Sequence, residues 1–188
     1  MMDPWSLPES VTIGGKEYHI NADFRDILDI IACMSDVEQD IRIRLYVALA
    51  LFYDDFDEMP ESSYEEAAQG LYDFIRCDEE EQGPPPPKTI DWEQDRSMII
   101  SEVNKVAGCE IRALPFCHWW TFIAWFNAIG EGQLSTVVSI REKLRKRKRL
   151  DKWERDFYKQ NRGKINFKTR FTKDEQDFLE SLTGKKVK

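Results

Sequence analysis

The chain opens with two short β-prone runs and then changes to a helical pattern. The two runs lie within residues 11–20 and flank Gly14 and Gly15, a pair that supplies the positive φ angles of a type I′ turn. The first helical pattern follows over about Phe24–Met34, with Asp23 in the position of an N-cap. The pattern therefore predicts an N-terminal β-hairpin followed by a mainly α-helical chain.

Beyond this helix, apolar residues recur at steps of three and four along several further segments. Residues that favour helix starts precede most of these segments, and Gly108 is placed to end one of the helices. We predict a bundle of about six or seven helices. The predicted starts are, in chain order, Asp36, Ser62 or Ser63, Asp91, Pro115 (as a first-turn residue), Ser135, Asp151 and Thr172.

Two helical blocks are separated by a segment that can form neither a helix nor a central strand. It is acidic at first and then contains four consecutive prolines, Pro84 to Pro87. We interpret it as an exposed polyproline II linker, with a proline motif for a partner's aromatic groove as the alternative. The predicted organisation is a hairpin plus an acidic helical block at 1–77, the linker at 78–90, a block with an aromatic core helix and a basic helix at 91–160, and a polar tail with a short helix at 161–188.

The composition is typical of a globular protein. The charge is distributed unevenly along the chain. With 188 residues, 41% of them hydrophobic, the chain is large and apolar enough to bury a core. Residues 1–98 hold 24 acidic and 7 basic residues, whereas residues 99–188 hold 11 acidic and 20 basic residues. Such asymmetry indicates either that the halves attract each other or that each faces a different partner.

The cations concentrate in one segment. Residues 141–170 contain 14 basic and 4 acidic residues, and five consecutive cations occupy 145–149. This run can bind phosphates of a nucleic acid, but it can equally be a solvated helix face or a complement to the acidic half. The net charge of −8 argues against a dedicated nucleic-acid-binding protein. The partner-binding candidates here are Arg141, Arg145, Lys146, Arg147, Lys148 and Arg149.

The most hydrophobic stretch, residues 113–130, has no formal charge over 18 residues. Its tryptophans lie in the middle, whereas a membrane-spanning helix usually places them at its ends. We therefore predict a buried helix of a soluble protein and expect no membrane partner. Because the helix is apolar nearly all round, part of its aromatic surface is expected to bind a partner helix. The candidates are Trp119, Trp120, Phe122 and Trp125.

Signals for catalysis are weak. The sequence lacks a glycine-rich phosphate loop, a His-Glu-x-x-His motif and a Gly-x-Ser-x-Gly motif. Only His19 and His118 are available for proton transfer near neutral pH. We expect a non-catalytic protein without a cofactor.

No metal site is expected either, and the four scattered cysteines are interpreted as reduced thiols of a cytoplasmic protein. Cys109, Cys117 and His118 match no standard zinc spacing, so we interpret them as core thiols and a hydrogen-bonded core histidine. Asp91 and Asp95 lie one helical turn apart. We interpret them as negative charge at a helix start rather than as metal ligands.

Four segments in a fixed order resemble one known family. The first, residues 7–25, combines a Leu-Pro hairpin entry with Asn-x-Asp-Phe-Arg at 21–25. The others are Asp91-Trp92-Glu93-Gln94-Asp95, His118-Trp119-Trp120 with Phe122, and Ser135 to Ile140 with Arg141. Over roughly residues 7–160, this ordered set resembles the bacteriophage "gene product fifteen" family.

The resemblance implies a tail-assembly protein of long-tailed phages or prophages of Gram-positive bacteria, located in the cytoplasm of the infected or lysogenic host. The family is encoded beside the tape-measure gene, where tail-assembly chaperones are usually found. We therefore expect a chaperone whose partners are the tape-measure protein and the tail-tube protein, with a second copy of the chain as a further partner.

In this hypothesis the tape-measure protein contacts the face around Trp119, Trp120, Phe122 and Trp125. The basic segment Arg141–Arg149 would meet an acidic surface of a neighbour or of the tube protein. The alternatives are a structural tail component and, less favoured, a phage protein that binds nucleic acid through residues 141–149.

Overall fold

The computed structural model describes residues 5–77, 83 and 87–168, and it begins with the expected hairpin. Strands β1 (Ser10–Ile13) and β2 (Lys16–His19) pair antiparallel. Gly14 and Gly15 have φ angles of 57° and 81°, which are the positive values that a type I′ turn requires. The predicted hairpin and its turn are confirmed.

Helices make up most of the remaining described residues, so the predicted mainly helical class is confirmed. Within this part of the chain, no helix is both long enough and apolar enough to cross a membrane. The α-helices are α1 (Phe24–Met34), α2 (Ile41–Phe52), α3 (Tyr64–Ile75), α4 (Arg96–Ala107), α5 (Trp119–Asn127), α6 (Gln133–Arg145), α7 (Lys152–Gln160) and α8 (Arg162–Ile165).

Several helix ends lie where the capping residues predict them. The Asp23 carboxylate accepts the Arg25 N–H at the start of α1, and α3 begins directly after Ser63. Asp151 and Glu154 form a reciprocal capping box at the start of α7, with both hydrogen bonds 2.9 Å long. Short polar residues therefore mark the starts of all three helices, although only Asp23 and Asp151 make a capping hydrogen bond and the Ser63 side chain makes none.

The predicted start of α2 is wrong by several residues because a second aspartate competes for the cap. The Asp36 carboxylate accepts the Glu38 N–H within a separate turn. Asp40 is the N-cap, and its carboxylate accepts the Arg42 N–H at 2.7 Å.

The helix predicted to begin at Asp91 also begins later, at Arg96. The Asp91 carboxylate accepts the N–H groups of Glu93 and Gln94, which closes a turn of its own before the helix. The predicted end is confirmed, because Gly108 adopts the left-handed conformation, with a φ angle of 70°.

Two further starts differ from prediction. Pro115 precedes α5, which begins at Trp119 because the His118 ring caps it. Ser135 lies inside α6, whose N-cap is Gly132, and the Ser135 hydroxyl bonds back to the Gly132 backbone.

The folded part of the chain continues beyond the predicted start of the polar tail at Asn161. Helix α8 follows at once, and its last residue, Ile165, is only 1% exposed. The predicted short helix that starts at Thr172 lies outside the described residues, as do Pro84, Pro85 and Pro86 of the linker.

A single hydrophobic cluster draws side chains from both sides of the proline-containing segment. Phe24 of α1 stacks on Phe122 of α5 with ring centroids 4.7 Å apart. The backbone joins the same regions, because the Phe24 N–H donates to the Cys117 carbonyl and the Trp119 N–H donates to the Ala22 carbonyl. Helix α5 is thereby held against the start of α1.

Candidate protein-interaction surfaces

Arg141 is the most buried of the basic residues predicted to bind a partner, and it pairs with Asp95. Its side chain is 4% exposed and that of Asp95 is fully buried. The two guanidinium nitrogens Nη1 and Nη2 donate to the two Asp95 carboxylate oxygens at 2.5 and 2.8 Å. This bidentate arrangement matches the planar fork of arginine to a carboxylate.

The other donors of Arg141 are occupied by backbone carbonyls. Nε donates to Ile165, Nη2 to Lys164 and Nη1 to Thr89, at 2.8, 2.6 and 3.0 Å. All five donors of a guanidinium are therefore used within the chain. Arg141 ties α6 to α8 and to the segment before α4, so in this conformation it is not available to a partner.

The tryptophans at the start of α5, Trp119 and Trp120, form hydrogen bonds to the end of α3. The Trp119 and Trp120 indole N–H groups donate to the carbonyls of Ile75 and Phe74, each at 2.9 Å. These carbonyls belong to the last turn of α3, where carbonyls lack the usual partner four residues further along the helix. The Phe74 carbonyl also accepts the Cys77 N–H at 3.0 Å. The indoles therefore satisfy the C-terminal end of α3 and fix α5 against it.

The aromatic face predicted to bind the tape-measure protein divides between core and surface. Trp119 and Phe122 are each 1% exposed, so neither can contact a partner in this conformation. Trp92 packs against both rings, with centroids 6.0 and 6.2 Å away. Trp120 and Trp125 are partly buried and pack on the same cluster. Most of the apolar side chains around α5 therefore pack in the core.

His118 is a buried, hydrogen-bonded histidine, as the sequence indicated. Its Nδ1 accepts the Trp120 N–H at 3.1 Å, so its Nε2 carries the hydrogen and donates to the Pro8 carbonyl at 3.0 Å. Burial lowers the pKa of His118 below the ordinary 6.5, although the Pro8 carbonyl and the Glu9 charge oppose this shift. The neutral ring is the form that caps α5.

We expect the free energy of unfolding to fall as the pH drops below 6.5, the ordinary pKa of histidine. His118 resists protonation in the folded chain but not in the unfolded chain, so acid favours unfolding. One such group contributes a slope of at most about 1.4 kcal/mol per pH unit. Urea unfolding between about pH 7 and 5.5 measures this slope. His118→Asn keeps a capping oxygen and removes the titration, so an unchanged slope in this variant would contradict the assignment.

The residues considered for zinc do not assemble into a site. Cys117 is buried, Cys109 is exposed, and both ring nitrogens of His118 have other partners. Across the described residues, no group of three or more His, Cys, Asp or Glu side chains is placed to hold a metal ion.

The consecutive cations at 145–149 lie at the surface where α6 ends. All five are exposed, and Arg147 adopts a positive φ angle of 52° that turns the chain out of the helix. The Lys148 N–H donates back to the Lys143 carbonyl at 2.8 Å, which closes the helix end. Positive charge is favourable at a helix C-terminus, so part of this cluster has a local structural cause. The segment nevertheless remains accessible to an acidic partner.

A row of large apolar side chains lies exposed on the outer side of α2. Ile43, Val47 and Leu51 follow at steps of four and are 54%, 37% and 43% exposed, with Tyr46 beside them at 51%. We call these four residues the α2 face. Monomeric proteins rarely expose contiguous apolar patches of this kind, and such patches commonly mark binding sites.

The sequence of α2 contains a signal for the α2 face. Between Ile41 and Phe52 the only charged residues are Arg42 and Arg44, so the helix is apolar on more than one side. One apolar stripe is enough to predict a helix. A second stripe indicates either complete burial or a bound partner, and local pattern does not distinguish between them.

A concave surface lies between α1 and α4, and we call it the α1–α4 groove. It encloses about 650 Å³, which is within the range of ligand and peptide sites. Its apolar lining includes Leu28, Ile31, Ile90, Trp92 and Ile100. Four cations also line it: Arg25, Lys88, Arg96 and Arg112.

Comparison with known proteins places the chain in one family. The family described as Bacteriophage Gp15 protein matches residues 5–166, which is most of the 188-residue chain and includes α8. No curated protein and no solved structure matches the chain. The match contains all four segments that resemble the family, together with the helices that carry the α2 face and the α1–α4 groove. The chain belongs to the Bacteriophage Gp15 protein family.

Proposed function

We propose that this phage protein is a non-catalytic tail-assembly chaperone that binds the tape-measure protein in the host cytoplasm. The observation that carries the proposal is the α2 face, a helical surface of three exposed aliphatic side chains and one tyrosine. A tape-measure protein is a long helical chain whose apolar faces need cover until the tail tube surrounds it. A chaperone for such a client needs an accessible apolar helix face, which packs against another helix through residues at steps of three and four.

Charge around the α2 face supports a protein client. Exposed acidic residues precede the helix at Asp36, Glu38 and Asp40 and follow it at Asp54 and Asp55. This arrangement favours a helix whose apolar stripe is flanked by basic residues. The same negative charge keeps complexes apart from one another by repulsion.

The tube subunits must later displace the chaperone, so its contacts with the client should be individually weak. The α2 face suits this requirement because its side chains lie on a convex helix surface and are about half exposed before binding. Affinity then depends on several moderate apolar contacts rather than on one deep anchor.

Coexpression of this chain with the tape-measure protein tests the proposal, and Val47→Lys is the decisive variant. A charge in the middle of the α2 face should lower the yield of soluble complex about tenfold, because it must be buried when the client binds. Val106→Lys is the matched control: Val106 is also a helical valine and is also 37% exposed, but it lies on α4. Equal loss with both variants, or with neither, would contradict binding through the α2 face.

The two alternative functions predict different experimental results. A structural tail component would be present in purified virions, whereas a chaperone would be absent from them. Binding of nucleic acid through the exposed cations at 145–149 would weaken steeply with added salt. Client binding through the α2 face is mainly apolar and should weaken with salt far less steeply than binding to phosphates.

A further inference from the structure

The α1–α4 groove is open along one side, and the described chain leaves the fold next to it. The Phe167 ring lies 5.3 Å from the Lys88 ammonium nitrogen, and Lys88 lines the groove. The Lys168 N–H donates to the Gln94 side-chain oxygen at 2.9 Å, and the neighbouring Glu93 also lines the groove. The last described residue is thus fixed beside the groove.

Gln94 holds this exit in position from two directions. Its amide nitrogen donates to the carbonyls of Gly163, Lys164 and Asn166, at 3.3, 3.3 and 2.9 Å. Its side-chain oxygen accepts the Lys168 N–H. Residues 163–168 are therefore held by the amide group of one residue, Gln94, in the segment before α4.

Twenty residues follow Lys168, and their sequence suits a groove of this kind. Thr172 and Glu175 have capping-box spacing, and Phe178, Leu179 and Leu182 then fall on one face of the predicted helix. Eleven residues, 172–182, would form a helix about 16 Å long. The three residues that connect it to Lys168 can span about 10 Å when extended.

Charge gives the acidic segment one cation to meet in the groove. Residues 172–182 contain four acidic residues and one basic residue. The groove is lined by four cations and three acidic residues, and three of the cations already pair within the chain: Lys88 with Asp91, Arg25 with Asp23 and Arg112 with Glu110. The fourth, Arg96, is the first residue of α4 and is exposed, so it can pair with a carboxylate of the segment.

We propose that the C-terminal segment 172–182 of this chain docks as an amphipathic helix in the α1–α4 groove of the same molecule, with Phe178, Leu179 and Leu182 against the apolar lining. This is the helix-in-groove mode of recognition, made intramolecular by a short connection that keeps the segment at high local concentration. The proposal does not depend on the chaperone function. It gives the groove an occupant that is separate from the client of the α2 face.

Hydrogen–deuterium exchange of the full chain, followed by mass spectrometry, tests this docking. Amides of residues 174–182 should exchange at least about tenfold more slowly in the unchanged chain than in the double variant Phe178→Ser/Leu182→Ser, because docking protects them. Amides of α1 that border the groove should exchange faster in that variant. Val187→Ser is the matched control, since it removes an apolar side chain from the same tail outside the predicted helix.

A change on the groove side gives an independent check. Leu28→Ser alters the lining and should also release the segment, while the tail sequence itself remains unchanged. Rapid exchange of residues 174–182 in the unchanged chain would overturn the proposal. Protection that persists in Leu28→Ser, or that develops only as the protein concentration rises, would overturn it too. The last result would instead indicate exchange of tails between copies.

Discussion

Replacing Arg141 with methionine is expected to lower the free energy of unfolding by about 3–5 kcal/mol. The substitution leaves the Asp95 carboxylate fully buried without its bidentate partner. It also removes the three separate N–H donors that Arg141 supplies to the carbonyls of Thr89, Lys164 and Ile165. Urea unfolding followed by circular dichroism measures the loss, which should also lower the melting temperature by roughly 10 °C.

Arg145→Met is the matched control, because Arg145 lies one turn further along α6 and is exposed. Its removal should change the free energy of unfolding by no more than about 0.5 kcal/mol. Arg141→Lys should also lower the free energy of unfolding, because an ammonium group cannot reproduce the planar, bidentate geometry of the guanidinium. Similar stabilities for Arg141→Met and Arg145→Met would show that the buried pair does not organise the fold.

Local structure could be predicted from the sequence wherever one short signal dominates. The hairpin follows from Gly14 and Gly15, and the start of α7 follows from the Asp151–Glu154 capping box. The start of α2 was misplaced because two aspartates, Asp36 and Asp40, each offer a cap within a few residues. Which of them caps the helix depends on where α2 packs, and this information is not local.

Long-range partnerships could not be predicted in the same way. The sequence alone predicts Asp95 as negative charge at a helix start and Arg141 as a contact for another protein. They are 46 residues apart in sequence and form one buried pair. Charged residues are predicted to lie at the surface because buried charges are rare unless they are paired. A single sequence does not show which two charged residues form a pair.

The segments that resemble the family meet inside the fold. Asp95 from the second segment binds Arg141 from the fourth, and Trp92 from the second packs against Trp119 and Phe122 from the third. These segments therefore carry residues of the core, which explains why Arg141, Trp119 and Phe122 are buried rather than exposed to a partner. The α2 face lies outside them and depends on exposure, which only the folded chain defines.

The second large effect is expected from Trp119→Ala, which should lower the free energy of unfolding by about 3–5 kcal/mol. The indole is 1% exposed, stacks on Phe122 with centroids 5.6 Å apart and donates to the Ile75 carbonyl. Its removal leaves a cavity between α3 and α5 and an unpaired carbonyl at the end of α3. The measurement is again urea unfolding.

Trp153→Ala separates this core role from the general effect of losing a tryptophan. Trp153 lies on α7, is 57% exposed and has Phe157 as a ring neighbour, with centroids 6.2 Å apart. We expect a loss of no more than about 1 kcal/mol, because most of its surface is already in water. If Trp119→Ala were as mild as Trp153→Ala, the indole would not be packed as described, and α5 would again be a candidate client surface. A loss confined to Trp119→Ala assigns this tryptophan to the core of the fold.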